Sequence, residues 1–369
     1  MVNVDGDTHY WPTRMLDRVT HPGKGEVRIH DGAADYIRDG KAIWERIPES
    51  RWSLENRYAI MDQEGFDLQV LIPDNRPLPY EMEPDLGCEL AIAYNDTVAE
   101  DIAEYDRFIG VAWVYLPDIE ASVREVRRTV EELGLQAVKV MGAFGDLHLS
   151  DKRLWPFYEE VERLDIPVLV HPVAGVAQNR FFATDTRVAN RPDLLGVGAL
   201  GLPFEYMAEI ARLVFSGVFD EFPALRVGFF EGGAGWVPFL MNRLDHSMLR
   251  GHEIEPNPRQ TLHQGPETLL RKPSEYFEQI YVAAVSWEAY LPEILALWPN
   301  HNVIIGSDYD HGDAIATWPR TIEGLDNIPG LSPEDRRKIL SDNASRLFGF
   351  DRHPERLPSG RARTSPTPA

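Results

Sequence analysis

Eight short apolar runs recur along the chain: Val2–Val4, Leu68–Ile72, Phe108–Val114, Ala137–Met141, Val168–Val170, Val227–Phe230, Tyr281–Val285 and Val303–Ile305. Runs that are apolar throughout suit strands covered on both faces. Between them lie longer amphipathic stretches of helical character, among them Ser122–Leu133, Leu154–Leu164, Met207–Phe215 and Leu291–Trp298. Strand and helix in alternation imply right-handed βαβ units and a parallel sheet. Eight such units predict an α/β chain closed as a (β/α)8 TIM barrel. No glycine-rich dinucleotide fingerprint follows the first run, which weakens the open-sheet alternative.

The pattern predicts one barrel domain over residues 1–350. Inserts at 10–53, 172–198 and 250–272 break the rhythm, and the longer two are placed to form a cap over the C-terminal face or an oligomer contact. Ser332-Pro333-Glu334-Asp335 opens a final helix that runs to about Phe348. Serine is a good N-cap, proline fits the first helical position, and acidic residues suit the first turn. Residues 351–369 end in a Pro/Ser/Arg-rich stretch and are expected to be disordered.

Charge and cysteine content narrow the partners. A formal net charge of -22 argues against a nucleic-acid backbone or an anionic membrane. No run approaches the ~20 apolar residues of a membrane span, and the N-terminus lacks the pattern of a signal peptide, so a cytoplasmic chain is expected. The single cysteine, Cys88, allows no intrachain disulfide and no Cys-based zinc site.

Three polar motifs close apolar runs: Asp7-Thr8-His9, His171-Pro172 and Ser307-Asp308-Tyr309. Each has an ordinary reading alone: a turn, a structural histidine, a helix cap. Together Asp7, His9, His171 and Asp308 form a plausible shell for one divalent metal ion, because imidazole nitrogen and carboxylate oxygen suit zinc, manganese or iron. If the first strand continues through its motif, Asp7 and His9 face the same side. All three motifs also lie where parallel strands would end, the edge from which barrel enzymes build their sites.

The chain resembles the amidohydrolase-related family that includes aminocarboxymuconate-semialdehyde decarboxylase and the nonoxidative aromatic-acid decarboxylases. The resemblance is carried by Asp7-Thr8-His9, Tyr94-Asn95-Asp96, Ala137-Val138-Lys139, Val170-His171-Pro172, the Phe222-Pro223 to Asp245 segment, and Gly306-Ser307-Asp308-Tyr309. It implies a metal held by Asp7, His9, His171 and Asp308, zinc being the first expectation, and a homodimer. Two positions depart from the family pattern. The first motif is Asp-x-His where relatives often have His-x-His or Glu-x-His. Glu231 stands where many relatives carry a histidine, as a fifth ligand, a general acid or base, or a helix N-terminal carboxylate.

Position suggests further candidates. Lys139 and Arg243 are placed to anchor a substrate anion, though Arg243 has an alternative partner in Asp245. His311 is a candidate partner for Asp308, and Trp236 and Trp287 are candidates to stack on a ring. The leading expectation is nonoxidative decarboxylation of a small aromatic or conjugated carboxylic acid. The metal would act as Lewis acid and Asp308 as proton donor. The rivals are a hydrolase using metal-activated water, a hydratase, and a non-catalytic binding barrel.

Overall fold

A computed structural model describes residues 2–74, 82–144, 147–171, 200–253, 269–311 and 316–358. The insert expected at 172–198 lies outside the described residues, as do 254–268 of the third insert. In chain order the strands are β1 (Val4–Tyr10), β2 (Glu26–His30), β3 (Ala33–Arg38), β4 (Lys41–Pro48), β5 (Leu68–Pro73), β6 (Phe108–Trp113) and β7 (Ala137–Val140). They continue with β8 (Ala143–Phe144), β9 (Leu147–His148), β10 (Val168–Val170), β11 (Val227–Phe229), β12 (Ile280–Ala284) and β13 (Val303–Ile305). Eight of them form one parallel sheet in the order β1-β5-β6-β7-β10-β11-β12-β13. These are the eight apolar runs. The first strand differs, because it begins at Val4 and carries on through Asp7-Thr8-His9.

A helix follows each barrel strand. They are α1 (Glu55–Glu64), α2 (Pro84–Glu104), α3 (Ile119–Glu131), α4 (Trp155–Arg163), α5 (Gly201–Phe215) with the short α6 (Val218–Glu221), α7 (Val237–Glu253), α8 (Leu291–Leu297) and α9 (Thr321–Asp326). After α9 comes one composite helix over 333–348, whose Ser332 hydroxyl accepts from Asp335 N at 3.0 Å, as the capping pattern predicts. Val4, Leu68, Val70, Ile109, Leu169, Ala283 and Ile304 share one apolar cluster along the barrel axis. A larger cluster joins the outward residues of the strands, such as Val138, Val168, Val227 and Val303, to Tyr94, Val126, Phe157 and Ile210 of the helices. Residues 351–358, expected to be disordered, are tied down: Arg352, His353 and Arg226 all meet the Asp165 carboxylate.

Closure of the barrel places the first and last motifs together. Relative to β5, β1 carries one extra residue between Asp5 and Thr8. Strict alternation would put Val4 and His9 on opposite faces; this bulge returns His9 to the face of Val4. Across the seam Asp308 N donates to Asp7 O at 3.0 Å and His9 N to Tyr309 O at 2.7 Å. Asp5 accepts from Ser307 N at 2.9 Å and Ser307 Oγ at 2.6 Å, and burial pushes its carboxyl up to about 7.

Gly306 makes this approach possible, since a Cβ there would stand 2.5 Å from Asp7 Cβ. Nothing flexible can yield at that contact. Gly306→Ala is expected to cost about 1–3 kcal/mol through overpacking, read as a lower midpoint in urea. A variant as stable as the parent would show that the seam has slack.

The 10–53 insert is a cap in part. β2, β3 and β4 form an antiparallel meander, and a turn at Glu49–Arg51 returns the chain to the barrel mouth. Among the described residues no helix is long and apolar enough to cross a membrane.

Candidate metal centre

The strand ends bring Asp7, His9, His171, Glu231, Asp308 and His311 into one cluster, in which Asp7, His9, His171 and Asp308 are buried and Glu231 and His311 partly so. Asp7 and His9 come from β1, His171 follows β10, Glu231 follows β11, and Asp308 and His311 follow β13. The Glu231 Oε1 atom stands 3.3 Å from both His9 Nε2 and His171 Nε2, and 3.6 Å from His311 Nδ1. Asp308 Oδ1 is 3.1 Å from His9 Nε2 and 2.8 Å from His311 Nδ1, and Asp7 Oδ1 is 3.7 Å from His171 Nε2. The His9 and His311 rings stack at 4.2 Å, and the His171 ring meets His9 edge-on. Glu231 and Asp308 both have left-handed backbones, φ 63° and 55°. Non-glycine residues hold that conformation only where their surroundings enforce it, and such strain gathers at functional sites.

The donor set fits a divalent cation. Donors sharing one ion at bond lengths of about 2.0–2.2 Å stand roughly 3–3.6 Å apart, which is the spacing seen here. Asp7 Oδ1 and Asp308 Oδ2 are buried without a hydrogen-bond partner among the described residues. Charge balance points the same way. Burial raises the Asp7 and Asp308 carboxyls and holds the His9 imidazole well below its usual range. Burial works against a charged His171, but Glu231 and Asp7 outweigh it and hold its pKa at about 10. Burial likewise opposes charge on Glu231 and on His311. His171 foremost keeps Glu231 low, and Asp308 foremost keeps His311 high. Protons on two imidazoles thus balance the buried carboxylates, a task that a divalent ion performs when it replaces them.

Lys139 lies within β7 rather than at its end. It is buried on the axis side, donates to Pro73 O at 3.2 Å, and is lowered to about 8 by burial. Arg243 is not brought to the cluster: it lies exposed on α7, while Asp245 pairs with Lys272 at 2.7 Å. Trp287 is exposed, and Trp236 Nε1 donates to Gly232 O at 2.8 Å.

Two buried arginines have no counterpart among the residues expected from sequence. Arg51 meets Asp74 and Asp310 at 2.5 and 2.6 Å, with its Nη1 3.4 Å from His311 Nε2. Arg57 of α1 donates to the His9 carbonyl and to Thr8 Oγ1. Asp74 and Asp310 carried a usable signal, since each follows an apolar run as the ligands do. Arg51 carried none.

Comparison with known proteins agrees with this architecture. The chain is 28% identical over 359 residues to 2-amino-3-carboxymuconate-6-semialdehyde decarboxylase of Dictyostelium discoideum, covering 95% of this chain and 92% of that one. It is 28% identical over 352 residues to gamma-resorcylate decarboxylase of Rhodococcus jostii, covering 89% and 99%. A dihydroxybenzoic acid decarboxylase from Polaromonas, solved with manganese and 2-nitroresorcinol, shares the fold at a TM-score of 0.71 and 24% identity, covering 96% and 99%. A family model described as amidohydrolase matches residues 4–350, and with Asp7, His9, His171 and Asp308 gathered at the strand ends, the chain belongs to the amidohydrolase family.

Proposed function

We propose that the protein is a metal-dependent, nonoxidative decarboxylase of a small aromatic carboxylic acid with an oxygen substituent beside the carboxylate. The observation that carries this reading is the cluster itself: ligand-type residues converge on one point while Asp308 keeps one carboxyl oxygen, Oδ2, unspent. The two decarboxylases, alike along nearly the whole chain, support the same reaction. Asp7, His9, His171, Glu231 and Asp308 would hold the ion. The oxygen-rich shell favours manganese over the zinc first expected, in keeping with the manganese of the Polaromonas structure. The bound ion would polarise the carboxylate and its neighbouring oxygen as a Lewis acid.

This chain's residues supply the rest. His311 Nδ1 stands 2.8 Å from Asp308 Oδ1, the oxygen that would face the ion, and Oδ2 is left to carry the proton. That proton passes to the ring carbon bearing the carboxylate. The C–C bond then breaks, its electron pair returns to the ring, and CO2 leaves. The resemblance also implies a homodimer, which sedimentation velocity would read as twice the chain mass.

Manganese-loaded protein given 2-hydroxy- and 2,6-dihydroxybenzoates in D2O is expected to release CO2 and leave one deuterium at the vacated ring carbon. Solvent oxygen-18 in the product of an ester, lactone or dienoic acid, without CO2 release from any acid, would overturn the reading. It would favour hydrolysis or hydration, with Glu231 taking the proton from water.

A further inference from the structure

The loop Phe230–Gly235, which carries Glu231, is gripped from two sides by neighbouring units of the barrel. From α5, the fully buried Tyr206 donates its hydroxyl to Phe230 O at 2.5 Å. Its ring packs so closely on the next turn of the loop that a Cβ at Gly232 would stand 2.6 Å from it. From the loop after β12, the Glu288 carboxylate accepts from Ala234 N at 2.9 Å and Gly235 N at 2.8 Å through Oε1, and from Val285 N at 3.2 Å through Oε2. Gly233 has a left-handed φ of 65°, and a Cβ there would stand 3.0 Å from Glu288 Oε1. Glu288 reaches these N–H groups across from another unit, 54 residues on from Ala234.

Between these two anchors lies Glu231, at a φ of 63° that a glutamate does not keep unaided. Its side chain must end with Oε1 midway between two imidazoles, at 3.3 Å from each. Small rotations at that backbone would swing the carboxylate out of the cluster. We propose that Tyr206 and Glu288 are positioning residues that lock the Glu231 backbone, so that its carboxylate is presented to the ion already in place. Neither side chain touches the ion or the substrate; each acts through the loop. The inference rests on the reading of the cluster as a metal centre, and it assigns to the sixth barrel strand's loop the task of completing that centre.

The test is a double-mutant cycle on the full chain, read as Mn2+ affinity by competition with a chromophoric chelator. Tyr206→Phe removes one oxygen and leaves the packing intact; Glu288→Gln replaces one acceptor oxygen by an amide nitrogen. Each is expected to weaken Mn2+ binding about tenfold in the parent, the scale of outer-shell contacts. In a Glu231→Gln background each is expected to change it by less than about twofold, because the group being positioned is gone. Equal losses in both backgrounds would mean general loosening and overturn the proposal, as would a Tyr206→Phe variant that binds Mn2+ like the parent. If Glu288→Gln fails to fold, the Tyr206→Phe cycle decides alone. A parent chain that takes up no Mn2+ would sink the metal reading and this inference together. A parent that binds Mn2+ but releases no CO2 sinks only the decarboxylase reading, and the cycle still decides whether Tyr206 and Glu288 position Glu231.

Discussion

Asp308→Asn is expected to keep about one divalent ion per chain and to lower turnover by about a thousandfold, within the range for removing a positioned proton donor. Asparagine preserves the shape of the side chain and one carbonyl oxygen, so the contacts that Oδ1 makes with His9 and His311 survive in outline. What it cannot do is carry an acidic proton on the second oxygen. Metal content by plasma mass spectrometry and CO2 release, measured on the same preparation, separate the two roles. His171→Ala is the contrasting variant, because it removes a ring nitrogen from the donor set and should lose the ion and the activity together. Asp308→Asn turning over at the parental rate with metal bound would move proton delivery to another group. Loss of the ion from Asp308→Asn would reduce Asp308 to a ligand.

The barrel was legible because its strands are buried on both faces. Leu68–Pro73, Phe108–Trp113 and Val303–Ile305 sit within a residue of the apolar runs that predict them. The ligands were legible for a related reason. A polar residue that ends a buried apolar run must have a use at the barrel mouth, and Asp7, His9, His171 and Asp308 all meet that description. Two features escaped because they depend on pairing between distant segments. The β1 bulge is visible only against β5, yet it decides which way His9 faces. Arg51 lies in an insert with no apolar run to mark it, and it reaches the site only through the fold of the β2–β4 meander. Arg243 failed in the opposite sense: a helical position near the loop of Glu231 suggested the pocket, but the helix turns that residue to solvent.

Arg51→Ala is expected to destabilise the chain by about 3–5 kcal/mol, the usual cost of breaking a buried ion pair from one side. Its guanidinium is only 3% exposed as a residue and lies between Asp74, which follows β5, and Asp310, which follows β13. Arg51 O also accepts from Trp11 N at 2.9 Å, and the Trp44 ring lies 5.7 Å from the guanidinium, so one residue fastens the meander to the mouth. Alanine would leave two aspartates facing each other in a low-dielectric space, with no guanidinium between them. Packing and charge are separable here. If the loss is electrostatic, Asp74→Asn and Asp310→Asn added to Arg51→Met should recover part of it, since the two carboxylates no longer face each other, while the buried Arg57 and Lys139 lose their nearest carboxylates. Urea unfolding of the three chains reads this directly. A triple variant no more stable than Arg51→Ala would make the loss one of packing. An Arg51→Ala chain as stable as the parent would show that water already reaches both aspartates and that the meander is not latched by charge. Because Asp310 and His311 lie two and three residues after Asp308, a latch that fails should also disturb the proton donor. Turnover in Arg51→Lys, which keeps the charge but loses the planar fork, is therefore expected to fall further than its stability does.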